Sequence, residues 1–330
     1  LDPRIISGQA AALGKFPFVV HLFSQDYPKC GGVLIAYSWI VTAAHCVAGK
    51  GSNSQFEVVD KDTLKVGYGT TKGGEIDTVG VKNIYVHPGF NPVTFADDIA
   101  VLQLKATIQQ TLYTRSVVIS SDTIKDGQTL TAIGWGATSN GSGAQSDALM
   151  YTNMVTAPSD KCKNASTEFN GQNGSLICTS AAASHSTGIC RGDSGGPLVA
   201  AKNGSYKLVG LVSFDINEKD AKSDLCAVEG LYSYFTNVRV HVNFISLVTG
   251  IPVGEFVDGD VSQFRQSYDG VLSASLDKSD GTETANIHSI NQSSSSEASP
   301  VGSDSKKDDS ADHTQSDSAV ALVACKLSLI

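Results

Sequence analysis

From residue 18 to about residue 240 the sequence is cut into short β-branched and aromatic runs, at 18–22, 33–35, 99–104, 129–133, 208–212 and 231–234. Gly, Asn, Asp and Ser separate the runs, and turn signals recur roughly every 8–12 residues, a rhythm of strands joined by short connections. Most apolar surface must therefore be closed within sheets, as an all-β sandwich or barrel. One helix is expected near the end of this stretch. Val240, Phe244, Ile245 and Val248 recur at helical spacing, and Gly250 and Pro252 stop it.

After Pro252 the composition shifts. Residues 258–318 are rich in Ser, Asp, Gly, Lys and Thr and include four consecutive serines at 293–296. Such a segment buries too little apolar area to offset its ordering entropy, so residues 251–330 are expected to form a mostly disordered, low-complexity tail. Of the 24 Lys+Arg and 33 Asp+Glu in the chain, 5 and 13 fall from residue 251 onward, leaving the body nearly neutral. A neutral body without a basic cluster excludes an electrostatic nucleic-acid partner. Residues 319–330 turn apolar again but are interrupted by Lys326; a frayed terminus is preferred over a removable lipid-anchor signal. No apolar run approaches the length of a membrane span.

Seven cysteines lie at 30, 46, 162, 178, 190, 226 and 325. Their spacing matches no zinc motif, six of them admit fifteen pairings, and Cys325 has no evident partner. Glycosylation sequons begin at Asn140, Asn164, Asn173, Asn203 and Asn291, which fits an oxidising, secretory route. The first residue is Leu1, read as the product of leader removal.

Three motifs carry chemistry together: Thr42-Ala43-Ala44-His45-Cys46, Asp97-Asp98-Ile99-Ala100 and Gly192-Asp193-Ser194-Gly195-Gly196-Pro197. A serine hydroxyl is a weak nucleophile at neutral pH and needs an adjacent base, which in turn needs an orienting carboxylate. Glycines around Ser194 let backbone approach a ligand closely. The chain order His, Asp, Ser separates this set from the other common orders of the same triad.

On these motifs residues 5 to about 250 resemble the chymotrypsin/trypsin family of serine proteases. The resemblance implies two six-stranded Greek-key β-barrels with a C-terminal helix and a catalytic triad of His45, Asp98 and Ser194. The backbone N–H groups of Gly192 and Ser194 would form an oxyanion hole, and Ser213 would hydrogen-bond Asp98. Disulfides would pair Cys30 with Cys46, Cys162 with Cys178, and Cys190 with Cys226. Residues 1–4 would be an activation peptide cleaved after Arg4, whose removal lets the Ile5 ammonium reach Asp193; Ser7 departs from the family's usual Gly there. The specificity pocket would have Gly188 and Ile189 at its base and Ser213, Phe214, Asp215 and Gly230 on its walls. With Gly188 in place of a basal carboxylate, apolar or mixed specificity is expected, and Asp215 stands where the family usually has Gly. Phe95 would shape the next subsite.

The stretch 67–74 is short and glycine-rich with few carboxylates, so neither a calcium site nor any cofactor is expected. His87 falls in a structural loop motif, and His21, His185 and His241 read as bystanders. The expected function is a secreted, monomeric serine endopeptidase made as a zymogen, acting on proteins or peptides after cleavage by another protease. A catalytically silent relative, used as a binding or inhibitory module, is the alternative that shares this fold.

Overall fold

The computed structural model describes residues 8–50, 56–73, 76–140, 145–180, 187–220 and 225–264. The chain divides into residues 1–274 and 275–330, and every described residue belongs to the first unit. Arg4, Ile5, Ser7, His185, Cys325 and the chain beyond Phe264 lie outside the described residues.

Two closed antiparallel barrels of six strands each make up the body. The first comprises β1 (Val19–Ser24), β2 (Tyr27–Ala36), β3 (Trp39–Thr42), β4 (Leu64–Tyr68), β5 (Asp77–Val86) and β6 (Ala100–Leu104). They close in the order β1-β2-β3-β6-β5-β4. The second comprises β7 (Thr129–Gly134), β8 (Met150–Thr156), β9 (Leu176–Ser180), β10 (Pro197–Lys202), β11 (Ser205–Asn217) and β12 (Leu231–Asn237). Their order is β8-β7-β10-β11-β12-β9, closed by pairing of Val155 with Ser180 and Thr156 with Thr179. Closure leaves neither barrel with a free edge, which is how strands this short satisfy their backbone groups.

Each barrel has its own core, around Leu22, Ile40 and Leu102 in the first and around Leu130, Ile177 and Phe235 in the second. A third cluster joins the barrels through Phe18, Val33, Ile99, Trp135, Leu211 and Val238. The expected helix forms as α1 (Val242–Thr249), with Val242, Phe244 and Ile245 buried and Gly250 at φ +69°, the left-handed cap that glycine adopts without strain. The cysteines pair 30–46, 162–178 and 190–226, as the resemblance implies.

Order continues past residue 250, into the stretch assigned from composition to the tail. A one-turn helix, α2 (Val253–Phe256), places Phe256 in the inter-barrel cluster at 2% exposure. Ile119 N–H donates to Phe256 O at 2.8 Å and Asp258 N–H to Ile119 O at 3.0 Å. Asp258 also accepts from Ser121 N–H and pairs with Lys202. Two apolar side chains, Phe256 and Val257, anchor this segment, and average composition does not register them.

Candidate active site

The site is built where loops of the two barrels meet. His45 sits on a single 3-10 turn, Ala44–Cys46, directly after β3, and the Cys30–Cys46 disulfide fixes that turn to β2. Asp98 precedes β6 at the end of a loop folded on itself. Asn91 Oδ1 caps the N–H of Val93, and Phe95 N–H returns to Asn91 O at 2.8 Å. Phe95 and Asp97 both take positive φ, +59° and +49°. Non-glycine residues rarely hold that region, and the loop's hydrogen bonds keep them there.

The Asp98 carboxylate is wholly buried, and three donors reach it. His45 Nδ1 lies 2.7 Å from Oδ2, His45 backbone N–H donates to Oδ1 at 2.9 Å, and Ser213 Oγ donates to Oδ2 at 2.6 Å. With Asp98 Oδ2 as the acceptor, His45 Nδ1 carries the hydrogen, which leaves Nε2 with the free lone pair. Thr236 Oγ1 donates to the Asp98 carbonyl at 2.8 Å. Sequence gave no signal for Thr236, a core strand residue like many others.

Ser213 reaches Asp98 because of an irregularity. β11 and β12 are in register from Gly210–Asn237 to Val212–Phe235, then resume at Phe214–Tyr234, so Ser213 is a bulge residue without a cross-strand partner. Phe214 stacks on Tyr234 at 4.8 Å between ring centroids and meets Phe95 at 5.6 Å; Phe95 also packs against the His45 ring.

Ser194 is half-buried, and its carbonyl accepts from Gly31 N–H at 2.8 Å, tying the Ser194 loop to β2. In that loop the N–H groups of Asp193, Gly195 and Gly196 go to the carbonyls of Cys190, Val212 and Asp193. Among the described residues, the N–H groups of Gly192 and Ser194 take no backbone carbonyl. Gly192 has φ +94°, and a Cβ there would meet Gln145 Nε2 at 2.5 Å. Gly195 has φ +73°, and a Cβ there would strike Thr42 Oγ1 and the Gly31 carbonyl.

Asp193 is buried at 1% exposure, with Oδ1 accepting from Gly136 N–H at 2.7 Å and Oδ2 from Cys190 N–H at 2.9 Å. Burial pushes its carboxyl up to about 6 against the lowering effect of those amides. Among the described residues no cation is among the groups acting on it.

Two pocket residues, Ile189 and Gly230, behave differently from expectation. Ile189 is 2% exposed and belongs to the second barrel's core, so its side chain offers almost no surface to a substrate. Gly188 abuts Ala227, whose Cβ lies 3.2 Å from where a Gly188 Cβ would stand. The space at Gly230, expected to open a wall, is covered by the Lys219 stem, 3.0–3.4 Å from a Cβ there, while Lys219 Nζ pairs with Glu229 at 2.8 Å. Asp215 faces Ser233 across the ladder. Its side chain is exposed. Desolvation by neighbouring protein atoms raises its carboxyl to about 7, Asp193 adds to the rise and a hydrogen bond with Ser233 opposes it.

The closed double barrel, a buried carboxylate on an imidazole and a glycine-lined serine loop define the chymotrypsin-like class. The Trypsin family profile matches residues 5–245, and the chain belongs to that family. Among curated relatives, "Trypsin beta" of Drosophila erecta is 31% identical over 215 residues, covering 65% of this chain and 79% of the relative. "Trypsin alpha-4" of Lucilia cuprina is 32% identical over 219 residues, covering 65% and 78%. "Serine protease 56" of Homo sapiens is 30% identical over 247 residues, covering 73% of this chain and 38% of the relative.

Proposed function

We propose that this chain is a serine endopeptidase that cleaves peptide bonds through an acyl-enzyme on Ser194. The observation that carries the reading is the Asp98 carboxylate, buried yet met by His45 twice and by Ser213 once. That arrangement suits an imidazole that must gain a proton at Nε2 and lose it again. Ser194 Oγ attacks the scissile carbonyl as His45 Nε2 takes its proton; Asp98 stabilises the imidazolium, which then protonates the leaving amine. Water repeats the sequence to release the acid. The uncommitted N–H groups of Gly192 and Ser194 fit donors for the developing oxyanion, where loss of one such bond typically costs about 100- to 1,000-fold.

The protein is made as a zymogen, secreted, and activated by another protease cutting after Arg4. Asp193 supports this: a buried carboxylate met only by amides is costly to ionise, and an Ile5 ammonium would supply the missing charge. Specificity is mixed. Asp215 pairs with a basic side chain from the pocket wall, and the floor closed by Gly188 and Ala227 also accepts apolar ones. For glycans, Asn164 and Asn203 suit better than Asn140 and Asn173. The latter two amides are held by the backbones of Cys226 and Ile124.

A fluorophosphonate probe applied before and after cleavage at Arg4 tests the whole reading. Labelling should appear on cleavage and vanish in Ser194→Ala. A folded, cleaved protein that takes no label would instead be a silent binding module.

A further inference from the structure

His87, Asp97 and His241 are distant in sequence, and none belongs to the triad. Three separate elements bring them together. His87 follows β5 and donates its N–H to Ile99 O at 3.0 Å. Asp97 ends the strained loop before Asp98. His241 closes the 3-10 turn Val238–His241 that leads into α1. We propose that these three side chains form a binding site for a zinc-class divalent cation, one peptide bond from Asp98.

Hydrogen bonding sets the protons. His241 Nδ1 lies 2.9 Å from Asn237 O, which can only accept, so Nδ1 carries a hydrogen. His241 Nε2 then faces Asp97 Oδ1 at 3.0 Å, two acceptors that need a cation between them, either a proton or a metal ion. His87 Nδ1 has one lone pair, which Gly89 N–H meets at 3.2 Å, and it lies 3.7 Å from Asp97 Oδ2; a metal ion between them would take that lone pair in place of the Gly89 N–H. Donor atoms of all three residues lie within 4.8 Å of one another. Zinc at about 2.0–2.2 Å from N and O ligands needs tetrahedral edges of roughly 3.3–3.6 Å, so the 3.0 Å separation from His241 to Asp97 Oδ1 would open and the 3.7 Å separation from His87 to Asp97 Oδ2 would close by a few tenths of an ångström on binding.

The donor set chooses the metal. Two imidazole nitrogens and one carboxylate suit zinc and its transition-metal neighbours, whereas calcium and magnesium prefer oxygen throughout. The Nδ1–H bond from His241 to a carbonyl is the outer contact that orients a metal-ligating histidine. Access is open on one side: the His241 side chain is 3% exposed, His87 20% and Asp97 34%, leaving a fourth position for water. Gly89 packs against Asp97 and His87 without a side chain. A Cβ there would strike Asp97 Oδ2 and stand 3.3 Å from His87 Nδ1.

Its effect on turnover rests on the proposed function. A metal on Asp97 draws on the peptide that carries Asp98, and sub-ångström shifts of a catalytic group lower kcat. The cluster stands behind the 2.7 Å Asp98–His45 contact, so KM should change little.

Zinc titration of the metal-stripped full chain by calorimetry, with cobalt(II) absorption as a second probe, tests the site without reference to activity. Wild type should bind one equivalent that His87→Gln and Asp97→Asn each weaken at least roughly tenfold. Equal zinc affinity in wild type and both variants, or no saturable binding, overturns the site. In the cleaved protein, zinc should lower kcat in wild type and not in His87→Gln; unchanged wild-type kcat at saturation overturns the coupling. Zinc binding by a protein that never hydrolyses peptides would sink the peptidase reading alone, and hydrolysis without zinc binding would sink the site alone.

Discussion

Ser213 reaches Asp98 because β11 has one residue more than β12 at that point. Ser213→Ala should leave the bulge intact and remove one of three donors to a buried carboxylate. A hydrogen bond to a charged group contributes about 1.5–3 kcal/mol, so urea unfolding should show a loss of that size, with a lower kcat. Asp215 makes a second prediction at this scale. Its carboxyl, raised to about 7 mainly by desolvation, is mostly neutral at pH 6 and mostly ionised at pH 8. A carboxylate attracts Lys or Arg only when ionised. Cleavage after basic residues, relative to Phe in matched fluorogenic peptides, should therefore climb several-fold between those pH values. Asp215→Asn should flatten the ratio; a ratio already flat in wild type would mean that Asp215 does not touch the substrate.

At the scale of elements, the segment 251–264 is the one whose behaviour composition misjudged. Phe256 is buried where the two barrels meet, and truncating a buried Phe costs about 3–5 kcal/mol. Phe256→Ala should lower the unfolding free energy by that amount and the urea midpoint with it, whereas removing the chain after Phe264 should not. If both leave the midpoint unchanged, the contact with Ile119 contributes nothing to stability. The helix was legible before the structure because its apolar spacing and its Gly250-Pro252 stop are local signals. The anchor was not, since a few buried atoms in a polar stretch acquire meaning only from the groove that receives them.

For the whole molecule, pH tests the proposed cleavage after Arg4. Asp193 in the uncleaved chain has a folded value of about 6, above its ordinary 3.8, so it favours the fold below pH 4. That support is lost as pH rises toward 6, about 3 kcal/mol in total. His21 and His87, each lowered to about 4 by burial, act oppositely, and they do so in both forms. Comparing cleaved with uncleaved protein therefore cancels the histidines and isolates Asp193. The gain in Tm on cleavage should widen by several degrees from pH 4 to pH 7. A constant gap would show that the Ile5 ammonium does not reach Asp193.

The sequence by itself determined the all-β class, the C-terminal helix and three short motifs, because strand rhythm, helix stops and glycines around a serine are written in neighbouring residues. Disulfide pairing needed the family resemblance as well. Tertiary structure alone decided how distant groups share one volume. It set the bulge that aims Ser213, the Lys219 stem over Gly230, the burial of Ile189 and the meeting of His87 with His241, 154 positions apart in the chain. Desolvation, proton placement and metal geometry depend on separations of a few ångströms, and a linear pattern does not specify those for residues on different strands.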